Sequence, residues 1–370
     1  MQIAVDAAGF TGGEADALRR AMGSKRSPTR MAALRSRFYQ GLAHTHGITG
    51  DTADKLWNKM VAFAAYGFPE SHSQSFATLV YFSAWFKHHY PAEFCAGLLR
   101  AQPMGFYSPQ SLIADARRHG VTILPISIND SGVQADAPDG HIRLGLDLVK
   151  GLGEEAARRI AEHAPYTSIP DLSRRADLGV AHIEALARAG ALDCLGVGRR
   201  EALWQAGIAA TERPGMLPGI SAIEAPALPG MSAFELMATS IAATGVTHDA
   251  QPMALLRAHL DTLGVVPAGR LLTDVADGTR VRIAGVVTHR QRPQTASGVT
   301  FLGLEDDTGL MNVMVSPGLW DRQRVLARTA KTLIIRGIVQ NATGAVNVVA
   351  DKLEPLPVGE WLSRGSRDFR

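Results

Sequence analysis

The sequence predicts a multidomain chain of the α+β class, and three observations lead to that prediction. Up to about residue 210, apolar residues recur every three to four positions, which is the period of amphipathic helices. From Thr279 onward they alternate with polar residues at every second position, as in half-buried strands. Residues 211–231, between the two patterns, contain four prolines and three glycines, a composition typical of a linker.

Residues 1–135 are predicted to be helical. Residues 53–66 carry apolar side chains on one face, which indicates an amphipathic helix. Gly67 and Pro69 should end this helix, because both residues destabilise a helix interior. Ser71, with a glutamine three residues later, has the spacing of a capping box and predicts the start of the next helix. Pro91 predicts the first turn of a further helix, where proline is tolerated.

Residues 136–210 are predicted to form two helix-turn-helix hairpins in tandem. Gly151 and Gly153 precede a helix that begins with two glutamates, and a second pair of glycines precedes a later helix. Glycines at such a turn let the backbone approach a phosphate, and the amides at the helix N-terminus then point at that anion. The glutamates also suit the helix dipole in the absence of a ligand. The pattern predicts binding of duplex DNA through its backbone. The candidate contacts are Lys150, Gly151, Gly153, Arg199 and Arg200.

Residues 211–278 are predicted to be a Pro/Gly linker with one short helix within residues 249–264. Residues 279–357 hold five strand candidates, and turn residues at 307–309 and 341–344 favour hairpins. Five short strands of this spacing are typical of an OB-fold, which offers a groove for single-stranded nucleic acid. Residues 358–370 are expected to form a C-terminal tail. The candidate contacts on the barrel are Arg280, Arg282, Arg290, Arg292 and Phe301, of which Phe301 fits the core as well.

Charge and composition restrict the class of protein further. The net charge is only +3, but residues 17–37 hold seven Lys/Arg and no Asp/Glu, a concentration expected at phosphate-binding surfaces. The densest carboxylate cluster, residues 305–307, has the position of a hairpin turn, and no Asp-x-Asp pair for a two-metal site occurs. Cys95 lies in an apolar run, which indicates a buried thiol in a reducing compartment. The N-terminus lacks the pattern of a secretory signal, so a cytoplasmic location is expected.

In the basic segment around Arg19, an ion pair with Asp16 four residues earlier accounts for Arg20. It leaves the charge of Arg19 and Lys25 unexplained. His72 follows the predicted helix start at Ser71, where backbone amides are exposed to an anion.

The sequence resembles the C-terminal part of the bacterial C-family DNA polymerases, the DNA polymerase III alpha subunits. The resemblance is carried by AGFTGGEADALRRAMGSKR at residues 8–26 and by FAAYGFPESHSQSFATLVYFSAWFKHHYPAEFCAGLL at residues 63–99, followed by the hairpins and the barrel. LLRAQPMGFYSPQSLIADARRHGV at residues 98–121 looks most like the error-prone branch, which acts in damage-induced mutagenesis. Glu70 departs from the replicative pattern, which has a basic residue there.

This resemblance implies that residues 1–135 are the later portion of the polymerase fingers. It implies incoming-nucleotide contacts at Arg19, Arg20 and His72, and we place Lys25 of the same basic segment with them. The family's catalytic palm is absent from this chain, so Mg2+ is expected for the complete polymerase but not bound here, and the chain alone should be inactive. The implied partners are primer-template duplex, single-stranded template, a deoxynucleoside triphosphate, and accessory proteins with a sliding clamp; no membrane is expected.

Two other functions fit parts of the pattern. A non-catalytic DNA-binding or adaptor protein would use the hairpins and the barrel without a palm. A hairpin-containing DNA glycosylase would need a catalytic Lys or Asp just after its glycine turn, and Asp171 lies too far along the chain for that role.

Overall fold

The computed structural model describes residues 2–22, 27–65, 70–104, 107–215, 225–249, 251–293, 296–342, 344–356 and 367–369. The chain divides into two compact units, residues 1–85 and 86–370. The packing therefore places the first boundary at residue 85, whereas the sequence suggested one near residue 135. Within the described ranges, no helix has both the length and the apolarity needed to cross a membrane.

The unit of residues 1–85 is helical in its described part, as predicted. Its core forms around Phe38, whose ring lies 6.1 Å from that of Phe10 and 5.5 Å from that of Trp57, measured between centroids. The amphipathic helix predicted at residues 53–66 is confirmed, while the helix breakers at 67 and 69 lie outside the described residues. The helices are α1 (Gln2–Asp6), α2 (Gly12–Met22), α3 (Ser27–His46), α4 (Gly50–Ala65) and α5 (Glu70–His89), which continues into the second unit.

The second unit begins with a helical region that has one continuous core. Residues from Ala92 to Ala209 contribute to this core, so the segment before residue 136 packs with the hairpins that follow it. Pro91 starts a helix, as predicted. The parallel strands β1 (Ile123–Leu124) and β2 (Ile142–Arg143) join the two halves of the region. The helices are α6 (Pro91–Arg100), α7 (Pro109–Arg118), α8 (Glu154–His163), α9 (Ile169–Ala176), α10 (Val180–Ala189) and α11 (Arg199–Ala209).

The predicted linker is more ordered than its composition indicated. The expected helix is present as α13 (Pro252–Thr262), but α12 (Ala233–Thr244) and α14 (Ala268–Thr273) were missed. Ser232 and Glu235 form a reciprocal capping box at the start of α12, so a local signal existed beside the prolines. Apolar residues of α12 and α13 share a core with Ile334 of the neighbouring barrel. This segment therefore packs against the barrel rather than running freely beside it.

The strands predicted for residues 279–357 are all present and close into a barrel. The hydrogen-bonded order is β4-β5-β7-β6-β3, and pairing of β3 with β4 completes the ring. The alternation holds at the start of β3, where Val281 and Ile283 are buried and Arg280 is exposed. The barrel strands are β3 (Arg280–Gln291), β4 (Thr300–Glu305), β5 (Leu310–Val315), β6 (Thr332–Ala342) and β7 (Ala345–Pro355). Helices α15 (Pro317–Arg322) and α16 (Arg324–Thr329) connect β5 to β6, and in the C-terminal tail β8 (Arg367–Phe369) pairs with β3.

The carboxylate cluster of residues 305–307 forms the predicted turn between β4 and β5 and also joins the barrel to its neighbours. One oxygen of Asp306 accepts hydrogen bonds from the amides of Thr308 at 2.7 Å and Gly309 at 2.9 Å. The other accepts from the Ala268 amide at 2.9 Å and from Arg257 Nη2 at 3.0 Å. Asp306 therefore ties the hairpin to both α13 and α14.

Glu305 makes the corresponding link to the helical region. Its carboxylate accepts from the Ser111 hydroxyl at 2.9 Å and from Arg118 Nη1 at 3.4 Å, both on α7. Glu305 and Asp306 are both buried. The orientation of the barrel therefore depends on two adjacent buried carboxylates.

We predict that Asp306→Asn destabilises the chain by about 3 kcal/mol, because it removes a buried charge that neutralises Arg257 and turns an amide donor toward other donors. Chemical denaturation with circular dichroism measures the change. Asp307→Asn is the matched control, since Asp307 is more exposed and binds only Arg257 among its described hydrogen-bond partners. Equal losses for the two variants would contradict the structural role given to Asp306.

Candidate nucleic-acid interface

Arg19 and Arg20 lie in the last turns of α2 and share one carboxylate. Asp16 Oδ1 accepts from Arg19 Nη2 at 2.8 Å, and Asp16 Oδ2 from Arg20 Nη2 at 2.5 Å. The ion pair predicted between Asp16 and Arg20 is confirmed. Asp16 also pairs with Arg19, which was not predicted. Hydrogen bonds from Arg19 and then Arg20 lower the pKa of Asp16. Both guanidinium groups remain largely exposed while Asp16 fixes their spacing.

The position of α2 is set by a second charged group. Thr11 and Glu14 form a capping box, in which the Thr11 amide donates to Glu14 at 2.8 Å and the Glu14 amide donates back to the Thr11 hydroxyl at 3.3 Å. Arg37 of α3 donates to Glu14 at 2.9 Å and to the carbonyl oxygen of Gly9 at 3.0 Å. The Arg37 bond, followed by the Thr11 amide, lowers the pKa of Glu14 from 4.5 to about 2. This contact holds the start of α2 against α3.

His72 lies in the first turn of α5 and is exposed, and the centroids of the His72 and Phe76 rings lie 4.5 Å apart. A helix N-terminus carries amides without intrahelical acceptors, which suits an anion. Lys25 lies outside the described residues. Arg19, Arg20 and His72 thus belong to one compact unit, and Arg19 and Arg20 are held together by a direct contact.

The first hairpin presents an open turn at the start of α8. Gly151 and Gly153 have φ angles of +85° and +77°, which L-residues with side chains rarely adopt, and a Cβ at either would meet no atom within 4 Å. The glutamates at the start of α8 pair along the helix, Glu154 with Arg158 at 2.8 Å and Glu155 with Arg159 at 3.0 Å. Their carboxylates are therefore held by partners one helical turn away. The turn itself leaves room for another backbone or a phosphate.

Lys150, just before this turn, supports α12 as well as lying at the surface. Its ammonium group donates to the carbonyl oxygen of Ala242 at 2.7 Å, and its backbone amide donates to Ala243 at 2.9 Å. These carbonyls belong to the last turn of α12, where a cation also suits the helix dipole. The structure thus gives the Lys150 side chain a structural role, although the residue is exposed and an ammonium group has three donors.

The second hairpin is built differently, and the prediction for Arg199 is wrong. Arg199 is only 6% exposed, because its guanidinium group is inserted between α10 and α12. Its Nη1 donates to the Leu236 carbonyl at 3.1 Å and to the Ser240 hydroxyl at 2.9 Å. The adjacent Gly190 is required, since a Cβ there would lie 2.6 Å from Arg199 Nη2. Arg199 therefore holds helices together and does not face a ligand.

Arg200 lies at the edge of the same hairpin and is half-exposed. It donates to the Pro229 carbonyl oxygen at 2.9 Å and pairs with Glu235 at 2.9 Å. Residues 225–231 consequently lie beside the start of α11 and line a cavity there together with Gly198 and Arg200. The second glycine turn is thus partly occupied by the chain itself, whereas the first turn is open.

On the barrel, Arg280 and Arg282 belong to a group of alternating charges across β3, β6 and β7. Asp351 lies between Arg280 and Arg336, at 3.1 Å and 2.7 Å. Glu354 lies between Arg282 and Lys352, at 3.0 Å from each. Four cations therefore share two carboxylates and leave an excess of two positive charges on this face. Arg336 and Lys352 were not predicted, although the alternation of polar and apolar residues in β6 and β7 could have indicated them.

A β-bulge makes this arrangement possible. Arg336 faces Lys352 while the next residue, Gly337, faces Ala350, so Asp351 is the extra residue of β7. At Gly337 the two backbones approach so closely that a Cβ would lie 2.4 Å from the Val349 carbonyl oxygen. The bulge brings the Asp351 carboxylate between two arginines that would otherwise repel.

The two arginines at the end of β3 have different environments. Arg290 is 6% exposed, and its guanidinium donates to the carbonyl oxygens of Ala327, at 2.8 Å, and Ala330. The prediction that Arg290 contacts DNA is therefore wrong, because the residue fastens α16 to the barrel. Arg292 is exposed and lies over the Trp320 ring, 5.5 Å from its centroid. Phe301 is half-buried.

No group of three His, Cys, Asp or Glu side chains that could hold a metal ion occurs among the residues that the structure describes. The carboxylates at 305–307 are already bound to arginines, a serine and backbone amides. Cys95 is buried as predicted, and burial raises the pKa of its thiol to about 12.

Three family models match separate parts of the chain. They are the bacterial DNA polymerase III alpha subunit finger domain at residues 1–46, a helix-hairpin-helix motif at 120–202, and an OB-fold nucleic acid binding domain at 281–356. The predicted helix-hairpin-helix and OB-fold domains are confirmed by these matches.

The whole chain also aligns with curated proteins that are named error-prone DNA polymerase. It is 98% identical to that of Corynebacterium efficiens, 80% to that of Corynebacterium glutamicum and 57% to that of Mycobacterium tuberculosis. The alignments include all of this chain and 34%, 35% and 34% of those proteins, respectively. The chain thus spans about a third of the length of the curated relatives it matches.

We predict that the contribution of Glu14 to stability depends on pH. Because its pKa is lowered from 4.5 to about 2 in the folded chain, the stabilising charge is fully present above pH 4.5 and is lost as the pH falls toward 2. Glu14→Gln should therefore melt at a lower temperature than the parent at neutral pH, and the difference should shrink between pH 4.5 and 2. Melting curves followed by circular dichroism over this pH range measure the difference in melting temperature.

Glu154→Gln is the control, since this exposed glutamate takes part in a pair worth about 0–1 kcal/mol. A Glu14→Gln deficit that stays constant across the acid range would show that the carboxylate charge is not the source of the stabilisation.

Proposed function

We propose that the chain is part of an error-prone bacterial DNA polymerase III alpha subunit, in which it binds DNA and contacts the incoming nucleotide while the enzyme copies damaged template. In this proposal the barrel and the first hairpin hold the nucleic acid, and the helical unit of residues 1–85 meets the triphosphate. The whole-chain identity with proteins named polymerases favours this function over a non-catalytic adaptor.

The observation that carries the DNA-binding part is the open turn at Gly151 and Gly153. Backbone amides at the start of α8 and the lack of side chains at Gly151 and Gly153 suit a phosphate of either strand. Such contacts read no base, which is appropriate for a polymerase that must advance along any sequence. Arg200 and Lys150 flank the hairpins as additional cations, although each also has a partner within the chain.

The barrel contributes the second DNA contact in this proposal. The charged face with Arg280, Arg282, Arg336 and Lys352 has an excess of two positive charges. Arg292, stacked on Trp320, supplies a cation beside an aromatic ring, a combination that binds single strands in a sequence-tolerant manner. Glu305 and Asp306 connect the barrel to α7, α13 and α14, so both DNA-binding parts belong to one packed unit.

The nucleotide-binding part rests on Arg19 and Arg20, with His72 and Lys25 from the family resemblance. Each guanidinium carries five N–H donors, more than the shared Asp16 carboxylate can accept. Asp16 holds the two exposed guanidinium groups side by side, and such a pair of cations suits the oxygens of a triphosphate. Positioned cations of this kind offset the charge that develops during phosphoryl or nucleotidyl transfer.

The Mg2+ of the family does not fit the residues described here, since they include no group of carboxylates available to hold it. We therefore assign the metal, and the catalytic carboxylates, to parts of the polymerase outside this chain. The same resemblance extends the proposal to accessory proteins and a sliding clamp as partners of the full-length enzyme.

We predict that Arg19→Ala or Arg20→Ala, made in a full-length polymerase that contains this segment, raises the KM for the incoming nucleotide by about tenfold or more. The loss of one charge-assisted hydrogen bond to a phosphate is worth about 1.5–3 kcal/mol. The Kd for primer-template should stay within about twofold of the parent. Steady-state kinetics and fluorescence anisotropy measure the two quantities.

Arg35→Ala is the matched control, because Arg35 lies in the same basic segment and is also exposed beside an acid, Asp54 at 3.6 Å. Unchanged nucleotide kinetics in the Arg19 and Arg20 variants would remove the assignment.

We predict that Gly151→Ala combined with Gly153→Ala weakens duplex binding by about tenfold and reduces the slope of log K against log salt concentration by about one. A Cβ on these residues strains the turn and occupies the space that a phosphate would need. Fluorescence anisotropy over a salt series measures both effects.

Gly120→Ala controls for backbone strain, since Gly120 has a φ of +84° with nothing within 4 Å and lies at the end of α7. A hairpin variant that lowers stability as the control does, but keeps the parental affinity and salt slope, would show that the turn serves packing only.

A further inference from the structure

Helix α5 is apolar in its middle and exposed along its length. Every residue from His72 to Tyr90 is exposed. More than half of the surface of each large apolar residue in the middle of α5 is exposed, with values of 54–69% for Phe76, Leu79, Val80, Tyr81 and Phe82. Exposed apolar surface of this extent on one element marks an interaction site.

These side chains are distributed around the whole helix axis. At about 100° per residue, Phe76, Val80, Tyr81, Phe82 and Leu79 fall near 0°, 40°, 140°, 240° and 300°. An amphipathic surface helix concentrates its apolar residues in one stripe, whereas a helix that is apolar all round is a buried helix. A single flat partner surface would cover only part of α5. The pattern requires a partner that encloses it.

The polar groups of the segment suit such an enclosure. No Asp, Glu, Lys or Arg occurs between Glu70 and Lys87, so burial would desolvate no full charge. The Thr78 hydroxyl donates to the Gln74 carbonyl oxygen within the helix at 3.0 Å, so it needs no water. A lipid bilayer is a poor match, because about 20 apolar residues are needed to span it and the uncharged segment here contains polar serines and a glutamine.

We propose that α5 is a core helix of the full-length polymerase and that polypeptide from outside this chain encloses it. The chain spans about a third of the length of its relatives, which leaves twice as much polypeptide to supply the missing surface. A second copy of this chain could cover one side of α5 but would leave the opposite side in water. The inference depends on the family and not on any DNA or nucleotide contact proposed above.

Site-specific labelling tests this proposal. Leu79→Cys is made both in the 370-residue chain and in the full-length Corynebacterium efficiens polymerase, which is 98% identical over this segment. Asn58→Cys, on the exposed polar face of α4, is the matched control in the same unit. The rate of maleimide modification is followed by mass spectrometry of the peptide that contains each site, so that Cys95 and Cys194 are counted separately.

We expect Cys at position 79 to react about tenfold or more slowly in the full-length polymerase than in the chain alone, because labelling of a buried site requires local opening. The rate at position 58 should differ by about twofold or less between the two proteins. Equal rates at position 79 would overturn the proposal. Slow labelling at 79 already in the chain alone, relieved by dilution, would also overturn it, since a second copy would then be the partner.

Leu79→Glu provides an independent readout. It should leave the melting temperature of the 370-residue chain unchanged and lower that of the full-length polymerase by several degrees, because only there would the charge be buried. Asn58→Glu should change neither. A Leu79→Glu variant that melts like the parent in the full-length polymerase would contradict the proposal.

Discussion

The burial of two adjacent carboxylates, Glu305 and Asp306, is the constraint on which the larger unit depends. A buried charge is tolerated only where donors surround it, and here the donors come from α7, from α13 and α14, and from the turn itself. These elements must take up particular positions for the charges to be satisfied. The barrel is therefore fixed relative to the helical region that carries the first hairpin, and two nucleic-acid-binding folds become one body.

Arginines are used in two ways in this structure, and the acceptor distinguishes them. Arg199 and Arg290 donate to backbone carbonyl oxygens or a hydroxyl in buried positions, where they join neighbouring elements. Arg19, Arg20 and Arg280 instead pair with partly exposed carboxylates, and Arg282 does so while also donating to the Leu263 carbonyl oxygen. Only the second kind leaves the guanidinium group at the surface. A basic residue beside a glycine turn is thus no guide by itself to DNA contact.

Much of the candidate site could be predicted from local patterns. The glycine turn at Gly151 and Gly153, the Asp16–Arg20 pair and the outward direction of Arg280 each follow from spacing within one element. The acidic partners of the barrel arginines could not be predicted in this way. Asp351, for example, reaches Arg280 only through a bulge in β7. Helix α12 was also not predicted, because prolines and glycines precede it, although its capping box could be recognised in the sequence.

Local patterns in the sequence predict most of the elements and their order: helices, glycine hairpins and five strands. These depend on residue spacing, turn chemistry and helix caps, which act between near neighbours in the chain. Long-range packing sets which charges are buried, where the first unit ends, and that residues 92–135 share a core with the hairpins. These features escape local patterns because the desolvation of a charge, and the partner that offsets it, depend on residues tens or hundreds of positions away.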